Sequence, residues 1–405
     1  MNKSANKIIA FTVSALMTSS LALKAENPAW TPLFNGTNLN GWVNINGAQD
    51  TWSVKNRSIH CTGKPICALR TVEQYENFIL ELEWRHLKPG GNAGVFIWSG
   101  AEPAIGQPFL RAIEVQVLDH AYGKSNWFTT HGDVFPIHGS SMKPFPPSSG
   151  SRSFPSEEHS KGTPEWNHYR IHCNDGILKL SVNGHEVSGG EECNWRKGFI
   201  ALESEGSPVE FRNIRIKKLK SNPDTSSSQA APLAGDFFNL YNGKNFSGWP
   251  KAASKFLVSR DWTIVSTGLK NENDKLPILW SDARVTDNFE AFFDIKIPKN
   301  SNLDSQKIVS ICINNNAEPI LSIGKGRGLV NLSTNDIPMD KWIRIFLKVE
   351  NNEITITNNL NFKKTFKSPH TEGVSENPNS PCFGFIPPSL KGVEFANFFI
   401  KPLVK

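Results

Sequence analysis

Residues Phe78 to Arg85 read FILELEWR, in which apolar side chains at the even-numbered positions alternate with Glu81, Glu83 and Arg85. A period of two is typical of a β-strand that buries one of its faces. The stretches Ile113–Leu118 (IEVQVL) and Ile177–Val182 (ILKLSV) alternate in the same way. No stretch of 12 or more residues beyond the N-terminal segment keeps a helical period. The sequence therefore predicts an all-β fold, an antiparallel sandwich or jelly roll.

A duplicated motif divides the chain into two similar halves. Leu33–Trp42 reads LFNGTNLNGW, and Leu240–Trp249 reads LYNGKNFSGW, with Asn-Gly and Gly-Trp in register. The Ser-, Ala- and Pro-containing stretch 220–235 between the halves is typical of a flexible linker. We therefore expect two β-sandwich domains in tandem, at 26–219 and 236–405.

The second half is expected to be a degenerate copy of the first. The span from Phe289 to Trp342 corresponds to a much longer span from Phe78 to Trp166, and the missing part is a polar loop. A copy that keeps its structural landmarks but loses its polar loop keeps the fold and loses the chemistry. We expect a scaffold or accessory sugar-binding role for it.

The first 25 residues are typical of a cleavable signal peptide. Lys3 and Lys7 precede an apolar stretch from Ile8 to Leu23, and Ala22 and Ala25 offer small residues for cleavage. A membrane anchor is the alternative, but the stretch is short and broken by Ser and Thr residues. The mature protein is expected to be periplasmic or secreted, without a membrane span once the signal is removed.

Charge and cysteine content restrict the partners. The net charge of +6 is spread along the chain, without a basic stripe interleaved with aromatic residues, so nucleic acid is not an expected partner. Four of the six cysteines lie in the first half and two in the second, which fits disulfide pairing within domains in an exported protein. Their spacing matches no zinc pattern.

Alternation assigns the polar strand residues to faces. Glu114 and Gln116 point away from Ile113 and Val115, and Glu83 and Arg85 likewise share one face. If the strands are neighbours, one sheet face gathers these side chains with Glu203 and Glu205. An ordinary solvent-facing side of a sheet is the alternative interpretation. The GGNAG stretch at 90–94, which contains Asn92, would allow the backbone to approach a ligand closely, although a plain turn would look the same.

The region from His120 to Glu165 is predicted to be a long functional loop. A loop of this length is uncommon unless it is functional or disordered, and disordered segments are poor in aromatic residues. Each histidine in it could instead only brace the loop by hydrogen bonds. The residues of interest in it are Trp127, His131, Asp133, His138 and Arg152.

Several motifs in order resemble one known family. LFNGTNLNGW, ENFILELEWR, GGNAGVFIW, AIEVQVLD, HGDVFPIHGS, PEWNHYRI and VEFRNIRI resemble the 3-keto-disaccharide hydrolase family over Pro32–Leu219. The resemblance implies a concanavalin-like jelly roll, an exported protein and a carbohydrate substrate held on the concave sheet face. It also implies cleavage of glycosides that carry a ketone at carbon 3, by hydrolysis or by elimination followed by hydration.

The residue types suit that chemistry. A ketone at carbon 3 acidifies the hydrogen on carbon 2, so a positioned base could remove it and an acid could protonate the departing oxygen. We expect Glu114 to be the leading acid or base, with Glu83, His131 and His138 as further proton-transfer candidates. No cofactor is certain, although a divalent cation could stabilise the enolate. Candidates for substrate binding or anion stabilisation are Arg85, Asn92, Trp98, Gln116, Asp119, Trp127, Asp133, Arg152, Glu203 and Glu205.

Two other functions fit the same sequence. A non-catalytic, lectin-like sandwich would bind sugar through aromatic and amide side chains without cleaving it. A structural or adhesive spacer is the second alternative, and the His-, Asp- and Arg-containing loop argues against it.

Overall fold

The computed structural model describes residues 29–123, 125–249, 253–268, 278–282, 288–299, 301–302, 307–313, 319–324, 328–333, 336–367 and 383–403. The expected signal peptide at 1–25 lies outside these residues. The described chain is almost entirely β-structure, with four sheets. The strands of the first half are β1 (Thr31–Pro32), β2 (Trp42–Ile45), β3 (Trp52–Lys55), β4 (Ser58–Cys61), β5 (Cys67–Thr71), β6 (Phe78–His86), β7 (Asn92–Ser99), β8 (Ala112–Leu118), β9 (Val134–Ile137), β10 (Lys143–Phe145), β11 (Asn167–Asn174), β12 (Ile177–Val182), β13 (His185–Glu191), β14 (Phe199–Ser204) and β15 (Val209–Lys218).

The second half repeats the pattern with shorter loops. Its strands are β16 (Phe238–Asn239), β17 (Leu257–Arg260), β18 (Thr263–Ser266), β19 (Leu279–Trp280), β20 (Phe289–Lys296), β21 (Lys307–Ile313), β22 (Leu321–Gly324), β23 (Val330–Leu332), β24 (Trp342–Glu350), β25 (Glu353–Asn358), β26 (Lys363–Lys367), β27 (Phe383–Ile386) and β28 (Glu394–Pro402). The described helices are two 3₁₀ turns, His120–Tyr122 and Ser227–Gln229, and the α-helical turn α1 (Ala253–Phe256). None of these helices is long and apolar enough to cross a bilayer.

Each half is a sandwich of two sheets. In the first domain a nine-stranded sheet, ordered β10-β13-β12-β11-β6-β15-β4-β3 with β1 beside β15, faces a six-stranded sheet, ordered β2-β5-β14-β7-β8-β9. In the second domain the described strands give β17-β18-β28-β20-β24-β25-β26, with β16 beside β28, and β19-β27-β21-β22-β23. The sheet β3-β4-β15-β6-β11-β12-β13 thus has the same strand order as β17-β18-β28-β20-β24-β25-β26. The prediction of an all-β, jelly-roll sandwich fold is confirmed.

The duplicated motif makes the same turn in both domains. The Trp42 indole donates to the Leu33 carbonyl at 2.8 Å, and the Trp249 indole donates to the Leu240 carbonyl at 2.9 Å. The asparagine pair Asn35–Asn38 has the same 2.9 Å side-chain hydrogen bond as its counterpart Asn242–Asn245. The shared residues are therefore those that close the turn and attach it to the sandwich.

The stretch 220–235, expected to be a flexible linker, follows the surface of the first domain. The Ala231 amide donates to the Lys197 carbonyl at 2.7 Å, and Gln74 donates to the carbonyls of Ala231 and Pro232 at 2.9 Å. These bonds hold the chain between the domains at defined points, although its Ser- and Ala-rich composition resembles that of a free linker.

The second domain packs against the outer face of the six-stranded sheet. Phe292 and Phe399, on the outer face of the eight-stranded sheet, contact an apolar patch of the first domain. That patch consists of Ile45, Ala68, Phe96, Leu110, Ala112 and Ala201. The domains thus share an apolar interface rather than sitting apart on a linker.

A buried ion pair lies beside this interface. Arg344 donates to both carboxylate oxygens of Asp294, at 2.6 and 2.9 Å, and also to the Pro103 carbonyl at 2.9 Å. The Gly106 amide donates to the same Asp294 carboxylate at 2.8 Å. Asp294 is fully buried, and the Arg344 side chain is 9% exposed. The pair therefore holds a loop of the first domain against the second.

The four cysteines of the first domain are free thiols buried in its core. Burial raises the pKa of Cys61 to about 11, which keeps this thiol protonated. The expected pairing within the first domain is therefore not formed in this structure. Cys382 lies outside the described residues.

Replacing Asp294 with Ala tests whether the buried ion pair contributes more to stability than an exposed ion pair does. The change leaves the Arg344 guanidinium buried without its carboxylate, which costs about 3–5 kcal/mol in the free energy of unfolding. Chemical denaturation of the full chain would measure this. As a matched control, Glu350→Gln breaks the exposed Lys348–Glu350 pair on the same sheet and should leave the unfolding midpoint unchanged. Equal midpoints for the two variants would contradict the role given to Asp294.

Candidate active site

Three carboxyl groups meet on the outer face of the six-stranded sheet. Along β8, Ile113, Val115 and Val117 pack into the sandwich core, so Glu114 and Gln116 point to the opposite face. On the neighbouring strand β7, Gly94 lies opposite Gln116. The next strand, β14, continues the row with Glu203, and Glu205 follows at its end. We refer to Glu114, Glu203 and Glu205, with Asn92 and Gln116, as the carboxyl cluster.

Gly94 provides the space in which two of the carboxyl groups meet. A Cβ atom at this position would lie 2.9 Å from Glu114 Oε1 and also 2.9 Å from Glu203 Oε2. The two oxygens are therefore no farther apart than twice that distance. A side chain at position 94 would push both carboxyl groups away, so the glycine is needed for this close approach.

Burial makes these carboxyl groups hard to ionise. Glu114 is 6% exposed and Glu203 is 1% exposed. Burial, followed by the nearby Glu205 carboxylate, raises the pKa of Glu114 to about 8, although Arg152 acts against the shift. Burial, and then the charge of Glu114, raises the pKa of Glu203 well above its usual value. At neutral pH the cluster therefore holds protons that ordinary carboxylates would have lost.

Two side-chain amides link the carboxyl group of Glu205 to strands β7 and β8. Asn92 donates to Glu205, and Gln116 donates to the Asn92 side-chain oxygen at 2.8 Å. Burial raises the pKa of Glu205, while the Asn92 hydrogen bond lowers it. The Glu203 Oε2 atom is buried without a hydrogen-bond partner among the described residues. A hard divalent cation binds oxygen ligands of this kind. A proton shared between two carboxylate oxygens would stabilise them equally well.

The long loop brings a guanidinium to the cluster. Phe135, on β9, is the cross-strand neighbour of Glu114, and the Arg152 guanidinium lies 3.4 Å from the centre of its ring. Arg152 also donates to the fully buried Asp133 at 3.0 Å. Burial raises the pKa of Asp133, and hydrogen bonds from Thr129 and Arg152 lower it. Asp133 thus positions Arg152, which supplies the cation near Glu114.

The Asp119 carboxylate holds three loop segments together. It accepts hydrogen bonds from the amides of Gly90, Ala121 and Thr163 at 2.7, 3.0 and 2.8 Å, and from the Thr163 hydroxyl at 2.6 Å. Burial raises its pKa, but these hydrogen bonds outweigh burial and lower the pKa to about 2. Its oxygens are engaged by the protein, so the structure favours a bracing role over the expected contact with sugar hydroxyls or a cation.

Glu83 and Arg85 lie in the other sheet, which corrects the expectation that one sheet face gathers them with Glu114. β6 pairs with β11 and β15 in the nine-stranded sheet, so its outward side chains point to the opposite surface of the domain. There Arg212 donates to Glu83 at 2.7 Å, and Arg85 donates to Glu210 at 2.8 Å. Burial raises the pKa of Glu83, but hydrogen bonds from Asn213 and Arg212 produce a net lowering. Alternation identifies the face of a strand but not the sheet to which it belongs.

The two tryptophan candidates have opposite environments. Trp98 is 1% exposed, lies in the sandwich core and donates its indole hydrogen to the Glu76 carbonyl at 2.8 Å. Its ring has no free face, so the expectation that it binds substrate is corrected. Trp127 is 82% exposed on the long loop, and its ring is free to stack on a ligand.

The histidine candidates lie outside the carboxyl cluster. His131 is in the long loop, where its ring lies 4.9 Å from that of His120 and its Nδ1 lies 2.9 Å from the Ser160 hydroxyl. His138 follows β9 and lines a separate cavity of about 510 Å³. Burial lowers the pKa of His138, which keeps its imidazole neutral at neutral pH.

Sequence reasoning missed the cationic part of that cavity. Arg111 lies 3.8 Å from the centre of the Trp195 ring, and Arg344 of the second domain reaches the same cavity. Arg111 immediately precedes the alternating residues of β8, and Trp195 lies in a loop, so neither stood out by spacing. Their proximity arises only from the folded sheet and from domain packing.

The second domain lacks a counterpart of the cluster among its described residues. On β21 and β22 the core side chains alternate with outward ones, as on β7 and β8. The outward side chains there include Ser310, Cys312 and Ser322, and the two serine hydroxyls lie 2.9 Å apart. The corresponding face therefore presents hydroxyl groups in place of carboxyl groups.

Fold and site together define an antiparallel β-sandwich with a buried, proton-holding carboxyl cluster on one sheet face. Residues 29–217 match the family model of the 3-keto-alpha-glucoside-1,2-lyase-like domain. The match spans the first domain, which is slightly less than half of the chain. The resemblance inferred from its motifs is confirmed.

Individual relatives carry related names. A 3-keto-disaccharide hydrolase of Bacteroides thetaiotaomicron is 23% identical over 267 residues, covering 51% of this chain and 84% of that protein. Among solved structures, a candidate glycosyl hydrolase from Parabacteroides distasonis is 21% identical, covering 47% of this chain and 94% of that one, with a TM-score of 0.35. A carbohydrate-binding module from Bacillus subtilis is 12% identical, covering 44% of this chain and 96% of that one, with a TM-score of 0.32.

The raised pKa of Glu114 predicts a pH-dependent stability. A carboxyl group whose pKa rises from 4.5 in the unfolded chain to about 8 in the folded one contributes stability that is complete below pH 4.5 and is lost as the pH rises through 8. Glu114→Gln should therefore reduce the loss of stability between about pH 5 and pH 9 by a few kcal/mol. Urea unfolding across this range would measure it. Glu192→Gln, at a side chain that is 76% exposed, should leave the pH dependence unchanged; an unchanged slope in Glu114→Gln as well would contradict the assignment.

Proposed function

We propose that this protein cleaves the glycosidic bond of 3-keto-glycosides, in the compartment outside the cytoplasmic membrane. The carboxyl cluster is the observation that carries the proposal, because burial keeps Glu114 protonated at neutral pH next to a carboxylate and a guanidinium. The match of residues 29–217 to the family model supports the substrate class, and the apolar N-terminal segment supports export.

The proposed reaction needs one proton acceptor and one proton donor. Glu205, which is partly exposed and accepts a hydrogen bond from Asn92, is assigned to remove the hydrogen on carbon 2. The electron pair of that C–H bond enters the enolate of the 3-ketone and then forms a double bond between carbons 1 and 2 as the C1–O bond breaks. Glu114 gives its proton to the departing oxygen. Water added across the double bond would complete a net hydrolysis.

The surrounding groups would stabilise the enolate. Arg152, a cation of the long loop, lies near Glu114, and its pairing with Asp133 holds it in place before substrate binds. A preorganised cation costs no reorganisation when negative charge develops. Trp127 would offer its exposed ring to a sugar face. His131 and His138 are not used in this scheme, and their predicted proton-transfer roles remain predictions.

The second domain is proposed to complete the binding surface rather than to catalyse. It covers Ala112 and Ala201, each two residues along its strand from a carboxyl group of the cluster, and therefore forms a wall on that side. A chain that ended at Leu219 would expose this apolar patch. We therefore expect the truncated protein to lose solubility, in agreement with a scaffold role for the second domain.

Turnover of a 3-keto-glucoside should depend on Glu114 and not on Glu83. Glu114→Gln removes the proton donor and should reduce kcat by at least about 100-fold, the usual contribution of a general acid, with the fold unchanged by circular dichroism. Glu83→Gln changes the same residue type on the opposite sheet and should keep turnover. Loss of turnover in Glu83→Gln alone would move the catalytic centre to the nine-stranded sheet.

Replacing Gly94 with Ala tests the space between the carboxyl groups. The added methyl group would lie 2.9 Å from both Glu114 and Glu203 oxygens, so turnover should fall at least about tenfold while the unfolding midpoint changes little. Gly150→Ala is the matched control, because a Cβ atom there meets no atom within 4 Å. Unchanged turnover in Gly94→Ala would show that the two carboxyl groups need not meet.

A lectin-like function is the second candidate, and the exposed Trp127 ring favours it. Product analysis after incubation with a 3-keto-glucoside separates the two functions. Binding of the sugar by calorimetry without release of the aglycone would support the lectin and overturn the enzyme.

A further inference from the structure

A second cluster of chemically reactive side chains lies outside the carboxyl cluster. Glu157, His159 and His185 each offer one ligand atom, and these three atoms lie within 4.8 Å of one another. His159 Nε2 lies 2.6 Å from Glu157 Oε2. The imidazole rings of His159 and His185 are stacked, with centroids 3.7 Å apart and planes 7° apart. The cluster therefore combines two imidazoles and one carboxylate at the protein surface.

The backbone fixes the distance between the two halves of this cluster. Glu157 and His159 belong to the long loop, whereas His185 begins β13 directly after the Asn183-Gly184 turn. The Asn183 side chain donates to the His159 carbonyl at 2.7 Å. The Ser156 amide donates to the Val187 carbonyl at 2.9 Å. The two segments that carry the ligand atoms are thus held together by hydrogen bonds other than the contact between His159 and Glu157.

The donor set selects the kind of cation. Two imidazole nitrogens and one carboxylate oxygen suit zinc, which binds such atoms at about 2.0–2.2 Å. Calcium and magnesium prefer oxygen ligands alone, so this cluster is a poor site for either. Ligand atoms within 4.8 Å need small side-chain rotations, which also unstack the two rings, to reach a common ion. Partial exposure of all three side chains leaves room for those rotations.

We propose that Glu157, His159 and His185 bind one zinc ion, with a fourth position open to water. The ion would tie the long loop to the β12–β13 hairpin. The same loop carries Ser160, which donates to the Thr130 carbonyl at 2.8 Å next to His131. Zinc would therefore stabilise the loop that also holds Asp133 and Arg152, without being part of the carboxyl cluster.

Binding can be measured without any substrate. Tag-free full-length protein, treated with a chelator and dialysed, is titrated with zinc sulfate by calorimetry and with cobalt chloride by visible absorption. We expect one zinc ion per chain, cobalt absorption bands typical of tetrahedral coordination, and a higher unfolding temperature with zinc. His185→Ala should weaken zinc binding at least tenfold and remove the temperature shift; Glu157→Gln should weaken it less.

The controls separate this site from others. His172→Ala removes an exposed histidine of β11 and should bind zinc like the parent protein. An unchanged zinc affinity in both His185→Ala and Glu157→Gln, or the lack of one-to-one binding in the parent protein, would overturn the proposal. Loss of binding in Glu205→Gln but not in His185→Ala would assign the zinc to the carboxyl cluster and would overturn it equally.

Discussion

Burial of strand β8 on both of its faces is the constraint on which the rest of the first domain depends. All seven residues from Ala112 to Leu118 are buried. Strands buried on both faces are usually apolar throughout, yet the outward positions here include Glu114 and Gln116. The second domain packs on the apolar end of the strand at Ala112, and Arg152 of the long loop lies near Glu114. The carboxyl cluster therefore lies between the second domain and the long loop.

The pKa values of two buried glutamates in the first domain shift in opposite directions, and this difference determines which of them can hold a proton. Glu81, on the nine-stranded sheet, is also largely buried, but Arg170 and Arg215 both donate to its carboxylate. Burial raises its pKa, and the hydrogen bonds and charges of these arginines outweigh that rise. At Glu114, burial and then the like-charged Glu205 raise the pKa, and among the described residues Arg152 is the cation that opposes them. Residue type is the same in both places; two arginine partners keep Glu81 ionised, whereas burial and a like-charged carboxylate favour the protonated form of Glu114.

Sequence periodicity predicted the strands, the faces and the duplicated turn, because each depends on residues a few positions apart. It placed Glu114, Gln116, Glu203 and Glu205 correctly on outward faces, and these do meet. It could not assign β6 to the nine-stranded sheet, since pairing between distant strands leaves no mark on local alternation. Trp98 was misjudged for a related reason: its indole is enclosed by residues distant in sequence. Arg111 and Trp195 were missed because their cavity is completed by the second domain.

A hydrogen bond between an asparagine and a carboxylate recurs at equivalent positions in the two domains, but its surroundings differ. On the first domain, Asn213 donates to Glu83 at 2.9 Å on a face that the second domain does not cover; the equivalent bond in the second domain joins Asn397 to Asp294 at 2.6 Å. There the face is covered, and Asn397 also donates to the Gln107 carbonyl of the first domain at 3.0 Å. Because a buried carboxylate without hydrogen bonds is costly, the Gly106 amide of the first domain stabilises Asp294 on this face. The duplicated copy has thus kept the polar pair of the fold and uses it to hold the first domain, while serine hydroxyls occupy the position of the carboxyl cluster. Loss of the cluster and gain of the interface are consistent with a domain retained for its packing surface.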